Sequence, residues 1–477
     1  MARTRRVRKS AKALQQRLFA AANSEEIWSE WSNSPKPIDQ IIHSDLAKLV
    51  AKSREQYANN DYVKRLVNLS QTNIVGDQGV MVQSTVLDRR GEPDIPAQQN
   101  IERAWNDFSV AVDTSGYMSR KELEDLVIQG CIVDGDVFLL RHVGKQYKYG
   151  VAFSFIDPVL CDPTYHDSNK GIISGIEYQD GRPVRYWFNK SRPKHFGYMD
   201  SDRISIPAED IIHVYLPEWV GQKRGLPWIA TSLGTLRQIS AFEDAAIIAA
   251  RVGATKMGFF TSDSGAEYTG EENDEGDLVM DAEPGSFEQL PAGLKLQEWN
   301  PNYPSEFFGE FISAALRRLA VGNGVAHHSL TGDMSQVNYT QVRTALLDER
   351  DMWKRRQAWL INRLVRPLYQ TFIKYGVDFG RLNFQGRPLR ETAEHYYPAT
   401  FQGRRWAWVD PMKDMGALKE AIASNLQSLS GAMREMGRDP ETVWAEIAKD
   451  REILESLGIV VDNSDNTTEE VVDDSED

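Results

Sequence analysis

The chain has 477 residues, 41% of them hydrophobic and 26% charged, which is ordinary for a globular protein and enough to bury two or three domain cores. Its formal charge of −14 excludes a surface that grips nucleic acid throughout, because phosphate binding needs clustered Lys and Arg that release counterions. No run of eighteen apolar residues occurs, and the basic start leads into polar sequence, so neither a membrane span nor a secretion signal is expected.

Charge is strongly patterned within that total. Residues 1–17 carry seven basic groups and no acid, and residues 461–477 carry eight acids and no base. Both ends read as solvated tails, at 1–37 and 459–477. After the basic tail, residues 38–71 predict helix, with Ile41, Ile42, Leu46, Leu49 and Val50 near the 3.6 period and Val63, Leu66 and Val67 continuing it. Residues 73–84 turn to β composition, punctuated by Gly76 and Gly79. Helices follow at 98–108 and 119–131, then strands at 137–140, 151–156, 172–178 and 184–188. Asp180-Gly181 predicts a hairpin turn, since both central positions must tolerate positive φ. Asp134-Gly135-Asp136 contains a fragment of a divalent-ion motif, but a turn before a strand uses Asp-Gly for the same local reasons. Cys131 and Cys161 sit in or beside apolar, strand-like sequence without metal-ligand spacing, which predicts inert thiols in a reducing compartment. The first half is an α+β body.

The second half changes character. Pro227 opens a helix where its missing N–H costs nothing, and Gly253 closes it. Leu233, Leu236, Ile239, Ala246, Ile247 and Ala250 form its apolar, alanine-rich stripe, and its length is ~35–40 Å. Between Lys256 and Lys295 there is no basic residue, while ten acids accumulate. A second helix runs from Ser305 through Val321 to the Gly322-Asn323-Gly324 breaker. A polar loop at 325–338 leads into a long helix from about Tyr339 to Tyr375, which Pro367 should kink or end. Residues 411–458 predict two or three short helices.

Four passages carry a family resemblance: Asn73-Ile74-Val75-Gly76; the block from Glu209-Asp210-Ile211-Ile212-His213 to Gly225; the block from Leu330-Thr331-Gly332-Asp333 to Arg343, with Asn338-Tyr339-Thr340; and Trp408-Val409-Asp410-Pro411-Met412-Lys413 with Gly437-Arg438-Asp439 after it. In this order, around helix, acidic insert, helix, loop and long helix, the chain resembles the lambda-type family of tailed-bacteriophage portal proteins, the head-tail connectors, over roughly residues 73–458. The resemblance implies a portal fold: an α+β wing and body at 38–226, stem helices at 227–253 and 304–322, an acidic clip at 254–303, a tunnel loop at 323–338, a long helix returning to the wing at 339–410, and a helical crown at 411–458.

It further implies a homo-oligomeric ring, twelve-membered in the family, at one capsid vertex. Double-stranded DNA would pass through it, driven by the large terminase subunit, with major capsid, scaffold and neck or adaptor proteins as partners and no membrane. Candidate tunnel-loop residues are then His327, His328, Thr331, Asp333, Gln336 and Asn338. Candidate clip residues for terminase or adaptor docking are Glu271, Glu272, Asp274, Glu275 and Asp277. Lys256, Arg317, Arg318 and Arg343 are candidates for DNA or inter-subunit contact.

Physical chemistry fits such a conduit, because sliding DNA must not be bound deeply and every charge in a ring is repeated. The basic residues of the long helix alternate with Asp348, Glu349 and Asp351, which favours ion pairing over DNA contact. His327 and His328 are adjacent, point in different directions and lack a third ligand at metal spacing, so no metal is expected there. Trp406 and Trp408 read as packing anchors. No phosphate-binding Gly-x-x-x-x-Gly-Lys-Ser/Thr loop and no Gly-x-Ser-x-Gly elbow occurs, so no catalysis and no cofactor is expected. Another minor capsid or adaptor protein, or a terminase-like nucleic-acid enzyme, remains the alternative.

Overall fold

The computed structural model describes residues 36–190, 203–254, 258–262, 271–272, 278–279, 294–298, 308–335, 338–384, 387–388, 392–406, 411–438 and 440–457. The acidic tail, and the basic tail up to residue 35, lie outside these. Helix α1 (Ile38–Asn59) buries Ile42, Leu46 and Val50 at helical spacing against Val159 and Leu226. It stops at Asn60, which turns extended and whose Oδ1 accepts from the N–H groups of Tyr62 and Val63. Asn60 thus caps α2 (Asp61–Ser70) and divides the single predicted helix in two. A π-helical turn, Gln71–Val75, continues α2. The expected β character at 73–75 is therefore wrong: Ile74 and Val75 are wholly buried from a helical backbone, and only β1 (Met81–Ser84) is extended.

Helix α3 (Ile95–Phe108) begins three residues before its predicted start because Asp94 caps it, accepting from Ala97 N. There follow α4 (Arg120–Val133), β2 (Asp136–Val143), β3 (Val151–Ile156), β4 (Ile172–Ile173), β5 (Ile176–Gln179), β6 (Arg182–Asn189), β7 (Arg203–Pro207) and β8 (Ile211–Tyr215). The strand predicted at 172–178 is broken between β4 and β5, where Ser174 and Gly175 both have positive φ (51° and 80°) and make a tight turn. Asp180 and Gly181, at φ 51° and 77°, form the predicted turn between β5 and β6. Strands β4-β5-β6-β7 make one antiparallel sheet in that order. A second sheet has the order β3-β2-β8.

Helix α5 (Leu233–Ala254) starts later than Pro227 suggested. Trp228 N–H donates to Ile132 O, and a 3-10 turn at Ala230–Ser232 intervenes, because Trp228 and Ile229 are committed to the core. The predicted insert contains β9 (Gly258–Ser262), β10 (Glu271–Glu272), β11 (Leu278–Val279) and β12 (Leu294–Glu298), paired β9 with β12 and β10 with β11. Next come α6 (Phe308–Asn323), α7 (His327–Thr331) and α8 (Tyr339–Leu360). The predicted polar loop at 325–338 thus holds a helical turn. Helix α8 passes through a π turn, Ile361–Val365, directly into α9 (Arg366–Asp378). Pro367 therefore does not end the helix, and the irregularity expected from it takes the form of a π turn: a proline ring collides with the carbonyl four residues back, and the wider π turn occupies that stretch. The remaining elements are β13 (Asn383–Phe384), β14 (Arg387–Pro388), β15 (Ala399–Gln402), which pairs with β1, then α10 (Pro411–Ala423), α11 (Leu429–Glu435) and α12 (Pro440–Ser456).

The described residues cluster into two compact units. One draws on the chain up to Leu66, on Gly130–Phe138 and on Ile156–Ser335; the other takes Val67–Gln129, Leu139–Phe155 and the chain beyond Ser335. The first has its aromatic core at Phe138, flanked by Tyr186, Phe188 and the stacked ring of His213. The second centres on Trp105, packed edge-on against Tyr369 and Phe372, with Phe108 and Tyr149 around Phe372. Burying such rings contributes ~2–3 kcal/mol each beyond leaving them in water.

Candidate functional site

In the first unit α5 and α6 form an antiparallel pair. Asn323, at the end of α6, donates from Nδ2 to Ser232 Oγ (3.2 Å), just before α5 begins, while Phe242 meets Phe308 and Phe311 from the start of α6. Leu236, Ile239 and Ala246 of α5 and Leu316, Leu319 and Ala320 of α6 are buried. Ile247, Ile248, Phe311 and Val321 are, among the described residues, largely exposed on the same two helices, Phe311 covered on one side by Phe242, which leaves apolar surface facing outward. Arg317 and Arg318 are exposed.

The segment after α6 is anchored by buried Val325 and Leu330 and by Arg65, whose Nε donates to Ser329 O (3.2 Å). Gly332, left-handed at φ 74°, closes α7. Thr331 Oγ1 donates to His327 O (2.8 Å) and accepts from Asp333 N; Asp333 Oδ1 in turn accepts from Ser335 N (2.9 Å). The Ser335 hydroxyl and N–H hold the Asp333 carboxyl below the usual range. Burial, then the charge of Arg317, holds the His327 imidazole below its usual value. The fold so brings Arg317, His327, Thr331 and Asp333 into one neighbourhood, with His327 favoured neutral.

Other candidates fare differently. Asn338 caps α8 in a capping box, its Oδ1 accepting from Gln341 N while Gln341 Oε1 accepts from Asn338 N. Arg343, in the second unit, pairs with Asp414 at 3.6 Å. Glu271 and Glu272 form β10, opposite Val279 and Leu278. Gln336, Lys256, Asp274, Glu275 and Asp277 lie outside the described residues.

Sequence reasoning missed two polar hubs. The first sits in the first unit, where Asp136 Oδ2 accepts from Arg224 Nε (2.6 Å) and Oδ1 accepts from Gly225 N (2.6 Å) and contacts His213 Nε2 (2.9 Å). Arg224 Nη1 also donates to the carbonyls of Cys161 (2.9 Å) and Ser174 (3.0 Å), and its guanidinium lies over the Phe138 ring. Burial alone would raise the Asp136 carboxyl, yet Arg224 and His213 hold it below the usual carboxylate range. Neighbouring Asp134 pairs with Arg54 at 2.6 Å. Gly135 and Gly225 cross backbone to backbone: a Cβ on Gly225 would stand 2.1 Å from Gly135 O. The Asp-Gly-Asp turn is thus a charge-paired joint, and among the described residues no three His, Cys, Asp or Glu side chains are grouped to hold a metal. Both cysteines are free and buried, and burial pushes the Cys161 thiol up to about 11.

The second hub belongs to the second unit. Asn73 Oδ1 accepts from Trp406 Nε1 (2.8 Å) and Arg404 Nη1 (3.1 Å), and its carbonyl accepts from Gln357 Nε2 (2.8 Å). Arg350 lies over the Trp406 ring, so Trp406 is the packing anchor its sequence context suggested. The sequence signal for this hub was the Asn73-to-Gly76 tetrapeptide; its partners lie about three hundred residues away.

Among the described residues no helix is long and apolar enough to cross a membrane. Residues 24–357 match the family model described as phage portal protein, lambda family. The probable portal protein of Halomonas phage phiHAP-1 is 28% identical over 460 residues, covering 93% of this chain and 88% of that protein. Among solved structures, the neck of an empty gene transfer agent particle aligns with a TM-score of 0.45 at 15% identity, covering 83% of this chain and 94% of that one. An HK97 family phage portal protein from Corynebacterium diphtheriae aligns with a TM-score of 0.33 at 12% identity, covering 76% and 96%.

Proposed function

The chain belongs to the lambda family of phage portal proteins, and from that premise we propose that it is one subunit of a twelve-membered ring forming the DNA channel at a single capsid vertex. The terminase drives DNA in through this ring, DNA leaves through it at infection, and neck or adaptor proteins build on it. The subunit itself is catalytically silent, resides in the virion and passes through the host cytoplasm during assembly.

The observation that carries this reading is the antiparallel α5/α6 pair with its exposed apolar side chains, Ile247, Ile248, Phe311 and Val321. An exposed apolar stripe on a stiff helix pair is stable in water when a copy of itself covers it, and head-to-tail repetition closes into a ring. On this assignment α5 and α6 are the stem, β9 to β12 belong to the clip, the segment around α7 faces the channel, and α10 to α12 form the crown. Arg317 and Asp333 give the α7 neighbourhood mixed charge, which suits a surface that DNA slides past. Acidic Glu271, Glu272, Asp274, Glu275 and Asp277 would ring the clip and attract a basic partner.

Negative-stain images of the purified protein test the reading. Rings with a central hole support it, and monomers or compact dimers under all conditions overturn it. Ile248→Glu should abolish rings while leaving the monomer folded.

A further inference from the structure

The first unit carries a pair of histidines that the portal reading does not use. His43 sits on the second turn of α1, next to buried Ile42, and His166 lies in the chain between Pro163 and β4. His43 Nδ1 stands 2.7 Å from His166 Nε2 and 3.0 Å from the Pro163 carbonyl oxygen, with the two ring centroids 4.4 Å apart. The Ser174 N–H approaches His166 Nδ1 at 3.4 Å. His43 is half-buried and His166 exposed, so protons from water reach both.

A nitrogen-to-nitrogen hydrogen bond needs a proton on one ring and a bare lone pair on the other. Whichever ring donates, its partner must be neutral, so the contact tolerates one imidazolium and not two. Two like charges at this separation repel. Burial, then the charge of His43, holds the His166 imidazole below its usual value, and a hydrogen bond to the Ile172 backbone with the carboxylates of Asp39 and Asp162 offsets only part of this. Both carboxylates already have donors: Asp39 Oδ1 accepts from Lys223 N, and Asp162 Oδ2 accepts from Arg203 Nη2. The next charged neighbours along the turn, Asp167 and Lys170, pair with each other at 3.8 Å.

We propose that His43 and His166 form an acid-released clasp, which holds the leading end of α1 to residues 163–174 while at least one ring is neutral and lets go when both are charged. The far end of α1 is held without histidine, by Arg54 paired with Asp134 and Asp157, so release is confined to the leading end. The sign follows from the lowered folded value of His166: the contribution is fully present above the unfolded histidine value near pH ~6.5 and is lost as pH falls through the lower, folded value. The clasp lies within the first unit and is independent of the ring assignment.

Amide hydrogen exchange of the full-length protein, corrected for the intrinsic effect of pH and run with and without a metal chelator, tests this between about pH 7.5 and about pH 5. Protection over residues 38–46 and 163–174 should fall about tenfold on acidification, with residues 52–59 unchanged. His166→Gln, which keeps a donor and an acceptor at every pH, should hold that protection across the range. In His43→Gln the His166 ring, followed by its proton resonance, should titrate at higher pH than in the unaltered protein, because the neighbouring charge is gone; a merely structural role would not move it. No loss of protection in the unaltered protein, equal loss in His166→Gln, loss across the whole first unit at once, or a His166 titration indifferent to His43→Gln would each overturn the proposal. So would a pH effect seen only without the chelator, which would assign the pair to a bound divalent metal ion instead.

Discussion

Removing the guanidinium of Arg224 should destabilise the first unit more than any surface charge change. Arg224 is 2% exposed and Asp136 1%, so Arg224→Ala leaves a carboxylate in the interior whose remaining hydrogen-bond partners among the described residues are His213 and the Gly225 N–H. It also strips donors from the carbonyls of Cys161 and Ser174. Breaking a buried pair by deleting one partner costs about 3–5 kcal/mol. At roughly 2–4 °C per kcal/mol for a unit of this size, the melting temperature should fall by about 10 °C. Differential scanning calorimetry at fixed protein concentration and pH 7 measures this, since assembly makes melting concentration-dependent. Replacing both partners, in Arg224→Met with Asp136→Leu, should recover much of the loss. The pH dependence has a definite sign. The Asp136 carboxyl is held below its unfolded value, so its contribution is fully present above the unfolded value near pH ~4 and is lost as pH falls through the lower, folded value. A shift under about 2 °C for Arg224→Ala, or a double replacement as damaging as the single one, would refute the argument that an uncompensated charge is the cause.

Three further outcomes follow from the geometry. Asn73→Ala leaves the Trp406 indole N–H and one Arg404 donor unmet and should cost about 2 kcal/mol in denaturant unfolding, with Asn73→Asp recovering part of it. Deleting residues 333–335, which are exposed and, among the described residues, hydrogen-bonded only to each other and to Thr331, should leave ring assembly in electron micrographs unchanged while DNA packaging falls. Neutralising Glu271, Glu272, Asp274 and Glu275 together should weaken binding of terminase or neck protein about tenfold at low salt and much less at high salt, read by pull-down across a salt series.

Local signals in the sequence were read well and distant ones were not. Asp180-Gly181 announces its own turn because both φ requirements are met by adjacent residues, and the long helix expected from about Tyr339 does start there, held by a cap as local as that turn, between Asn338 and Gln341. Pro227 misled because the fate of its neighbour depends on Ile132, far back in the chain, whose carbonyl takes the Trp228 N–H. Asp134-Gly135-Asp136 was legible as a turn, but Arg54 and Arg224, which give it meaning, lie eighty and eighty-eight residues away. The apolar pattern of 233–250 was visible, whereas which side chains stay exposed depends on where α6 returns. The family's portal character was legible in four short passages; of these, Asn73-to-Gly76 is explained physically by the Trp406, Arg404 and Gln357 contacts.

The π turn at Ile361–Val365 has a further consequence for anyone editing this chain. It is equivalent to one residue added to an otherwise regular rod from Tyr339 to Asp378. Trimming a single residue there, such as Arg363, would let the rod wind evenly and would raise its helical regularity. Yet one residue is ~100° of helix rotation. The faces carrying Trp353 above and Tyr369 and Phe372 below are phased to the wall of the same unit only with the extra residue present. The locally smoother helix would therefore be the worse-fitting one, and length-neutral substitutions are the safer edits in this stretch.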